Sequence, residues 1–386
     1  MHRILPIVLL AAFAGLAKEP IFLLHKIGSD RSEGVAVFDF DRDGKLDVTS
    51  GAFWYQAPAW TPREYREARR SGEFVVNCGE FAIDVNKDGY PDIVSAGWME
   101  DGIYYFQNPK QLGVKWPKVK ITRSVHTEGM LSPDIDGDGT PDILPCHYSH
   151  NGVFWVQIKD GKFFRRPVGE AGDKHGIGFA DLDGDGKGDI LTPDGWYRQV
   201  NLAKDQWQWN PEFQLGDAGI GILAYDVNGD GRTDIIYSHG HDYGLYWLEQ
   251  GKRAGRRTWT SHLIDDSFSQ VHNLQLVDLN RDGRPEILAG KRYRGHNEKD
   301  PGSFDPLVIN YYTIEPGKNP KITRHPIAYN SPAGAGMQFV VIDLDGDGDL
   351  DIVTAGKSGQ YWFENLTVNR VPWQQRDLLF DRYPAR

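Results

Sequence analysis

The stretch DLDGDGKGD, residues 181–189, decides how this chain is read. Oxygen-bearing side chains stand at its first, third, fifth and ninth positions, and the glycine at the sixth lets the backbone turn sharply. The same pattern recurs as DFDRDGKLD (39–47), DVNKDGYPD (84–92), DIDGDGTPD (134–142), DVNGDGRTD (226–234), DLNRDGRPE (278–286) and DLDGDGDLD (343–351). Seven copies that begin 45 to 65 residues apart make internal repetition the governing fact of the sequence.

Alternating oxygen ligands followed by glycine form the first half of an EF-hand-type loop, and hard ligands without His or Cys favour calcium. An acid at the ninth position is expected to close each site, where an EF-hand uses its twelfth. The expected calcium ligands are Asp39, Asp41, Asp43 and Asp47; Asp84, Asn86, Asp88 and Asp92; Asp134, Asp136, Asp138 and Asp142; Asp181, Asp183, Asp185 and Asp189. The later copies add Asp226, Asn228, Asp230 and Asp234; Asp278, Asn280, Asp282 and Glu286; Asp343, Asp345, Asp347 and Asp351. The whole chain carries 54 Asp+Glu against 43 Lys+Arg, a net charge of −11. That balance reads as metal-site charge, and without clustered cations it excludes nucleic acid as the main partner.

Working outward, each motif is preceded by a short apolar run (GVAVF, GIGFA, QFVVI) and followed by another (DIVSAG, DILTP, DIIYS). An aromatic run usually comes next, such as GIYYF (102–106), GVFWV (152–156) or GLYWL (244–248), and then a fourth such as WPKVKIT. Four strands per repeat of about 50 residues is the arithmetic of an all-β, seven-bladed β-propeller with one Asp-rich calcium loop per blade. A calcium-bound parallel β-helix would repeat at a much shorter interval. Residues 20–28 (PIFLLHKIG) look like a fourth strand placed ahead of the first motif and are expected to complete the last blade; WQQRDLLF (373–380) competes for that role. The one helix expected is short, Pro62 to Arg70.

His2-Arg3 precedes an apolar run from Ile4 to Leu16, with small residues at the cleavage positions of Gly15-Leu16-Ala17. The run is too short to span a bilayer and reads as a signal peptide over 1–17, which leaves 18–386 as a single secreted or periplasmic propeller. No other stretch approaches membrane-spanning length, so no membrane insertion is expected. Two cysteines exclude a disulfide scaffold; Cys78 and Cys146 either pair or stay as buried free thiols.

The motif joins the two inner strands of a blade at one face, so equal offsets on either side should meet at the other face. Six residues before each motif stand Glu33, Cys78, Glu128, His175, Ile220, His272 and Met337; five after each stand Ala52, Gly97, His147, Asp194, His239, Lys291 and Gly356. The polar members concentrate in the third to sixth repeats, with Lys174, His126, His150, His241 and Arg292 beside them. Several imidazoles with carboxylates at one mouth form a transition-metal or acid–base constellation. A long insertion, Lys291 to Pro306, should lie over the same mouth. Trp54, Trp98 and Trp196 stand near it, where packing between blades competes with stacking on a sugar ring. No Gly-x-Ser-x-Gly elbow, Walker loop or dinucleotide fingerprint occurs.

The repeated Asp-x-Asp-x-Asp-Gly-x-x-Asp loop between apolar strands resembles the FG-GAP/VCBS repeat, which implies a propeller with calcium loops that serves either adhesion or catalysis. The stretches SHGHDYGLYWLEQ (238–250), QVHNLQLVDLNRDG (270–283) and GKRYRGHNEKDPGSFDPLVINYY (290–312) are similar to the propeller domain of aldos-2-ulose dehydratases. That resemblance implies a zinc ion among His147, His175, His239 and His272 and β-elimination of water from a ketosugar. Glu128, His175 or His272 would take the α-proton, and Lys291 or a second His would protonate the departing hydroxyl. The competing expectation is a non-catalytic propeller that binds glycans or proteins. A polysaccharide lyase acting on uronic acids would draw on Lys174, Lys291, Arg292 and Arg294.

Overall fold

The computed structural model describes residues 19–148 and 151–367. The expected leader (1–17), His150 and the WQQRDLLF segment (373–380) lie outside them. Among the described residues all regular elements are strands apart from two short 3-10 turns, Leu202–Lys204 and Gly295–Glu298. The first motif lies in a sheet of Ala36–Phe38, Asp47–Ser50, Phe53–Gln56 and Thr61–Glu64, and the second in Gly79–Ile83, Asp92–Ala96, Gly102–Phe106 and Lys118–Arg123. The fourth sheet runs Gly178–Ala180, Asp189–Thr192, Gly195–Asn201, Gln206–Asn210; the fifth, Leu223–Tyr225, Asp234–Ser238, Tyr243–Arg253, Arg256–Ser269. The sixth runs Asn273–Val277, Glu286–Gly290, Val308–Glu315, Lys321–Tyr329. The last holds Phe339–Ile342, Asp351–Gly356 and Gly359–Asn365, and Phe22–Gly28 adds its outer strand in antiparallel register from Phe22↔Asn365 to Gly28↔Gln360.

The result is an all-β propeller with six four-stranded blades, which corrects the expectation of seven. The third repeat forms two separate hairpin ladders, Thr127–Leu131 with Leu144–His147 and Val153–Lys159 with Lys162–Gly169. They touch through one isolated bridge, Ile143↔Val156, in which each residue donates to the other. In an antiparallel ladder the next hydrogen-bonded pair lies two residues along, at Pro145 and Phe154. Pro145 has no N–H to donate, and the ladder stops there.

A second correction falls at Pro62–Arg70, where no helix forms. Thr61–Glu64 is the outer strand of the first blade, and Tyr65 and Arg66 leave it to bury their side chains. Both reach Glu80: Tyr65 Oη donates to Oε1 at 3.0 Å and Arg66 to Oε2 at 2.6 Å. Tertiary anchoring outweighs local helix propensity here.

Each second strand is buried along its whole length, as in Asp189–Thr192 and Asp234–Ser238, whereas an outer strand such as Lys118–Arg123 is largely exposed. Apolar clusters fill the spaces between successive sheets. Val94 and Ile103 meet Ile143, Phe154 and Val156; Leu191 and Trp196 meet Ile222 and Ile235; Val353 and Ala355 meet Val35, Val37 and Val48, so that the last sheet packs on the first. Cys78 and Cys146 are buried free thiols whose pKa values burial pushes up to about 12.

Candidate functional site

Four residues from the offset before the motifs come together at one mouth of the propeller: Glu33, Glu128, His175 and His272 are all buried. Arg292 ties them. Its Nε and second terminal nitrogen donate to the two oxygens of Glu33 at 2.6 and 2.9 Å; its other terminal nitrogen lies 2.9 Å from Glu128 Oε1 and 2.9 Å from His272 Nε2. Lys357 Nζ stands 3.7 Å from Glu33. Burial alone would raise the carboxyl pKa values, but Arg292 and Lys357 hold Glu33 low, and the imidazoles with Arg292 hold Glu128 well below the usual range.

Glu128, His175, His241 and His272 each offer a ligand atom, and these atoms all lie within 4.8 Å of one another. Ring centroids are 4.7 Å apart for His175 and His241, 5.2 Å for His175 and His272, and 5.1 Å for His241 and His272. Gly240 makes this convergence possible: a Cβ there would stand 2.9 Å from His175 Cε1. The imidazoles are oriented from behind. His175 Nδ1 donates to the Ala218 carbonyl at 2.5 Å, and His241 Nδ1 faces Asp217 Oδ2 at 3.7 Å. Their Nε2 atoms are buried without a hydrogen-bond partner. Burial holds His272 well below the ordinary imidazole range, and burial with the charge of His175 lowers His241 to about 4. Imidazoles held by their far nitrogen, with a carboxylate beside them, match the donor set of a divalent transition metal.

A fifth group comes from the insertion. His296 Nε2 lies 3.4 Å from Glu128 Oε1, its Nδ1 lies 2.8 Å from Asp300 Oδ2, and its ring sits 4.2 Å from that of His241. The bond to Glu128 raises its pKa. Arg294, His296, Asn297 and Glu298 all have left-handed backbone, with φ of 52°, 44°, 56° and 63°. Such a run is costly for residues with a Cβ and marks a segment fixed by its surroundings.

The other residues expected at the mouth are placed elsewhere. His147 Nδ1 bonds Asp173 Oδ1 at 3.2 Å and its ring stacks on Phe154; His239 lies against Tyr246, with ring centroids 4.8 Å apart. Lys291 is fully buried beneath the insertion, where Nζ donates to Ser269 Oγ, Gln270 Oε1 and the Gly302 carbonyl. Burial lowers its pKa to about 8. Asp194 pairs with Lys174 at 2.6 Å. Arg292 stands one place beyond the offset of five, while His241 and His296 were visible as a neighbour and an insertion residue that equal offsets could not reach, because turns carry their side chains back over the mouth.

In the motif loops the first Asp accepts backbone N–H groups from the fifth and sixth positions, as Asp181 does from Asp185 and Gly186 at 3.1 and 2.8 Å. The ninth acid is buried and clips the loop to the third strand: Asp189 accepts from Leu182 at 3.1 Å and Gln199 at 3.0 Å. In the third and fourth motifs it also approaches the first and third positions, while in the first and last the first, third and fifth positions approach one another. Arg198 pairs with Asp183 and Asp185. Among the described residues no helix is long and apolar enough to cross a membrane.

Several solved structures are similar. An Agrocybe aegerita lectin specific for non-reducing terminal N-acetylglucosamine shares 15% identity over 90% of both chains, with a TM-score of 0.47. The Vibrio cholerae biofilm matrix protein Bap1 shares 11% over 89% of both, at 0.43, and a putative glucose dehydrogenase from Thermus thermophilus shares 10% over 75% of this chain and 99% of its own, at 0.39. No curated protein matches the sequence. The model of the FG-GAP-like repeat matches residues 84–144, 134–192 and 196–289, more than half of the chain. With the repeated loops and the propeller, that match places this chain in the FG-GAP-like repeat family.

Proposed function

We propose that this propeller is a carbohydrate-directed protein with a transition-metal centre at one mouth, and that the centre serves β-elimination from a ketosugar. The observation that carries the reading is the convergence of buried Glu128, His175 and His272 with half-buried His241, where two of the imidazole Nε2 atoms accept no hydrogen bond. The choice of a ketosugar rests on the resemblance of residues 238–250, 270–283 and 290–312 to the dehydratase propeller.

Zinc is the ion proposed, and when bound it would supply electrophilic polarisation of a keto oxygen. His175, His241, His272 and Glu128 would hold it. Arg292 keeps Glu128 ionised and aligned. His296, between Glu128 and Asp300, keeps its proton to higher pH than a free imidazole and would give it to the departing hydroxyl, while the α-proton passes to a Glu128 oxygen not engaged by the metal. The donor role expected of Lys291 passes to it, because the Lys291 ammonium is already directed at three acceptors under the insertion. We also propose calcium for the motif loops, where a buried ninth acid stands beside partly exposed carboxylates.

Metal analysis of the purified protein tests this reading. About one zinc per chain is expected, lost in His241→Ala and kept in His147→Ala, together with a chelator-sensitive rise in enone absorbance from 1,5-anhydrofructose. Zinc that is equally retained in both variants would sink the assignment. A second reading, a non-catalytic propeller that recognises glycans or proteins, is favoured by Arg292: a fixed cation already satisfies Glu128 and His272. Bound metal without turnover of any ketosugar would select it.

A further inference from the structure

The residue six positions after each ninth acid occupies one register at the rim: Trp98, Tyr148, Arg292 and Lys357 in the second, third, sixth and last repeats. Arg292 turns inward and locks the centre. Trp98 and Tyr148 turn outward, at 37% and 45% exposure, whereas Trp54 and Trp196 are buried at 5% and 2% between blades. The ring of Trp98 stacks on His126, with centroids 4.9 Å apart and planes 23° apart, and Tyr148 leans on it at 6.3 Å. The Tyr148 N–H donates to the His126 carbonyl at 3.1 Å, and His126 holds a left-handed φ of 53°. The chain therefore accepts local strain to set this ring on the rim.

From these observations we propose that Trp98, His126 and Tyr148 form a sugar-stacking subsite beside the Glu128 centre, so that the ligand is a saccharide of at least two rings. The inference rests on the metal-centre reading for its second ring and on the platform alone for its first. Flat rings with polar tips suit a pyranose, which offers C–H groups on one face and hydroxyls around its edge. The surroundings are polar as well: Arg69 bonds the Met99 carbonyl, and Asp101 and Asn151 lie on the adjoining turns. His126 precedes Glu128 by two residues, at most about 7 Å at ~3.3 Å per residue, which is close to the length of one sugar unit.

The test is an immobilised-oligosaccharide array probed with the protein as purified, with Trp98→Ala, with Tyr148→Ala and with Tyr329→Ala, an exposed aromatic on an outer strand. At least one oligosaccharide class should be retained, with affinity falling tenfold or more in the two rim variants and unchanged in Tyr329→Ala, at constant zinc content and thermal midpoint. Retention that survives Trp98→Ala, or no retained saccharide at all, overturns the subsite. Binding that depends on Trp98 in a chain that holds no zinc keeps the platform and removes the metal centre. Zinc dependent on His241 in a chain that binds no saccharide does the reverse.

Discussion

Arg292→Met, made in metal-stripped protein, should cost stability in a pH-dependent way. The guanidinium is 5% exposed and makes three charge-assisted contacts to Glu33 and Glu128. Methionine fills similar volume but leaves Glu33 with Lys357 alone and Glu128 with the imidazoles alone. Breaking a buried ion pair by removing one partner costs about 3–5 kcal/mol. An unfolding entropy of ~2.1 cal/mol/K per residue over roughly 350 residues is about 0.7 kcal/mol/K, so the thermal midpoint should fall by about 5 °C at pH 7.5. The sign with pH follows from linkage. In the wild type both carboxyls titrate below their unfolded value of 4.5, so their contribution is present above that value and constant from pH 7.5 to 5. In the variant burial outweighs the charge of Lys357 at Glu33, the folded state takes up protons as pH falls, and the deficit should shrink toward pH 5. Scanning calorimetry of both proteins at pH 7.5 and 5 measures it. A fall below 1 °C at pH 7.5, or a deficit that grows on acidification, would refute the view of Arg292 as the clamp of this site.

Pro145→Val restores the N–H missing beside Phe154 and should extend the ladder of the third repeat by one hydrogen-bonded pair, worth about 1 kcal/mol; new amide-exchange protection at residue 145 would show it. Burial holds Asp47, Asp142, Glu286 and Asp351 near 7, above unfolded values of 3.8 or 4.5. Chelator-treated protein should therefore gain thermal stability as pH falls from 7.5 to 5, and excess calcium should reverse that slope; a metal-free midpoint that falls with pH contradicts the mechanism. Lys291 titrates near 8 when folded and near 10.5 when unfolded, so its penalty is relieved as pH rises from 8 to 10. The wild type should gain on Lys291→Met over that interval in paired melting curves.

The repeat was legible because the loop chemistry is local: nine residues specify a turn whatever surrounds them. Ring closure was legible too, since PIFLLHKIG had no partner strand of its own repeat. The split third sheet was harder to see, because a single proline in DILPC acts on a ladder two strands wide that only the fold assembles. At the mouth, equal offsets correctly joined Glu33, Glu128, His175 and His272, whose backbones lie at the entries of inner strands. They misplaced His147 and His239, where Asp173 and Tyr246 draw the rings aside, and passed over His241 and His296, which turns deliver from above. Exposure separated Trp98 from Trp54 and Trp196, in step with their spacing: Trp98 stands six places after its ninth acid, the other two seven after theirs.

Phe22–Gly28 is zipped to Gly359–Asn365, so a strand made early must wait for one made much later. Until Gly359–Asn365 is made the circle stays open, however well the middle repeats have folded. The nascent chain therefore has an obligatory open stage in which Phe22–Gly28 lacks its partner, and chaperones or a neighbouring molecule could reach it there.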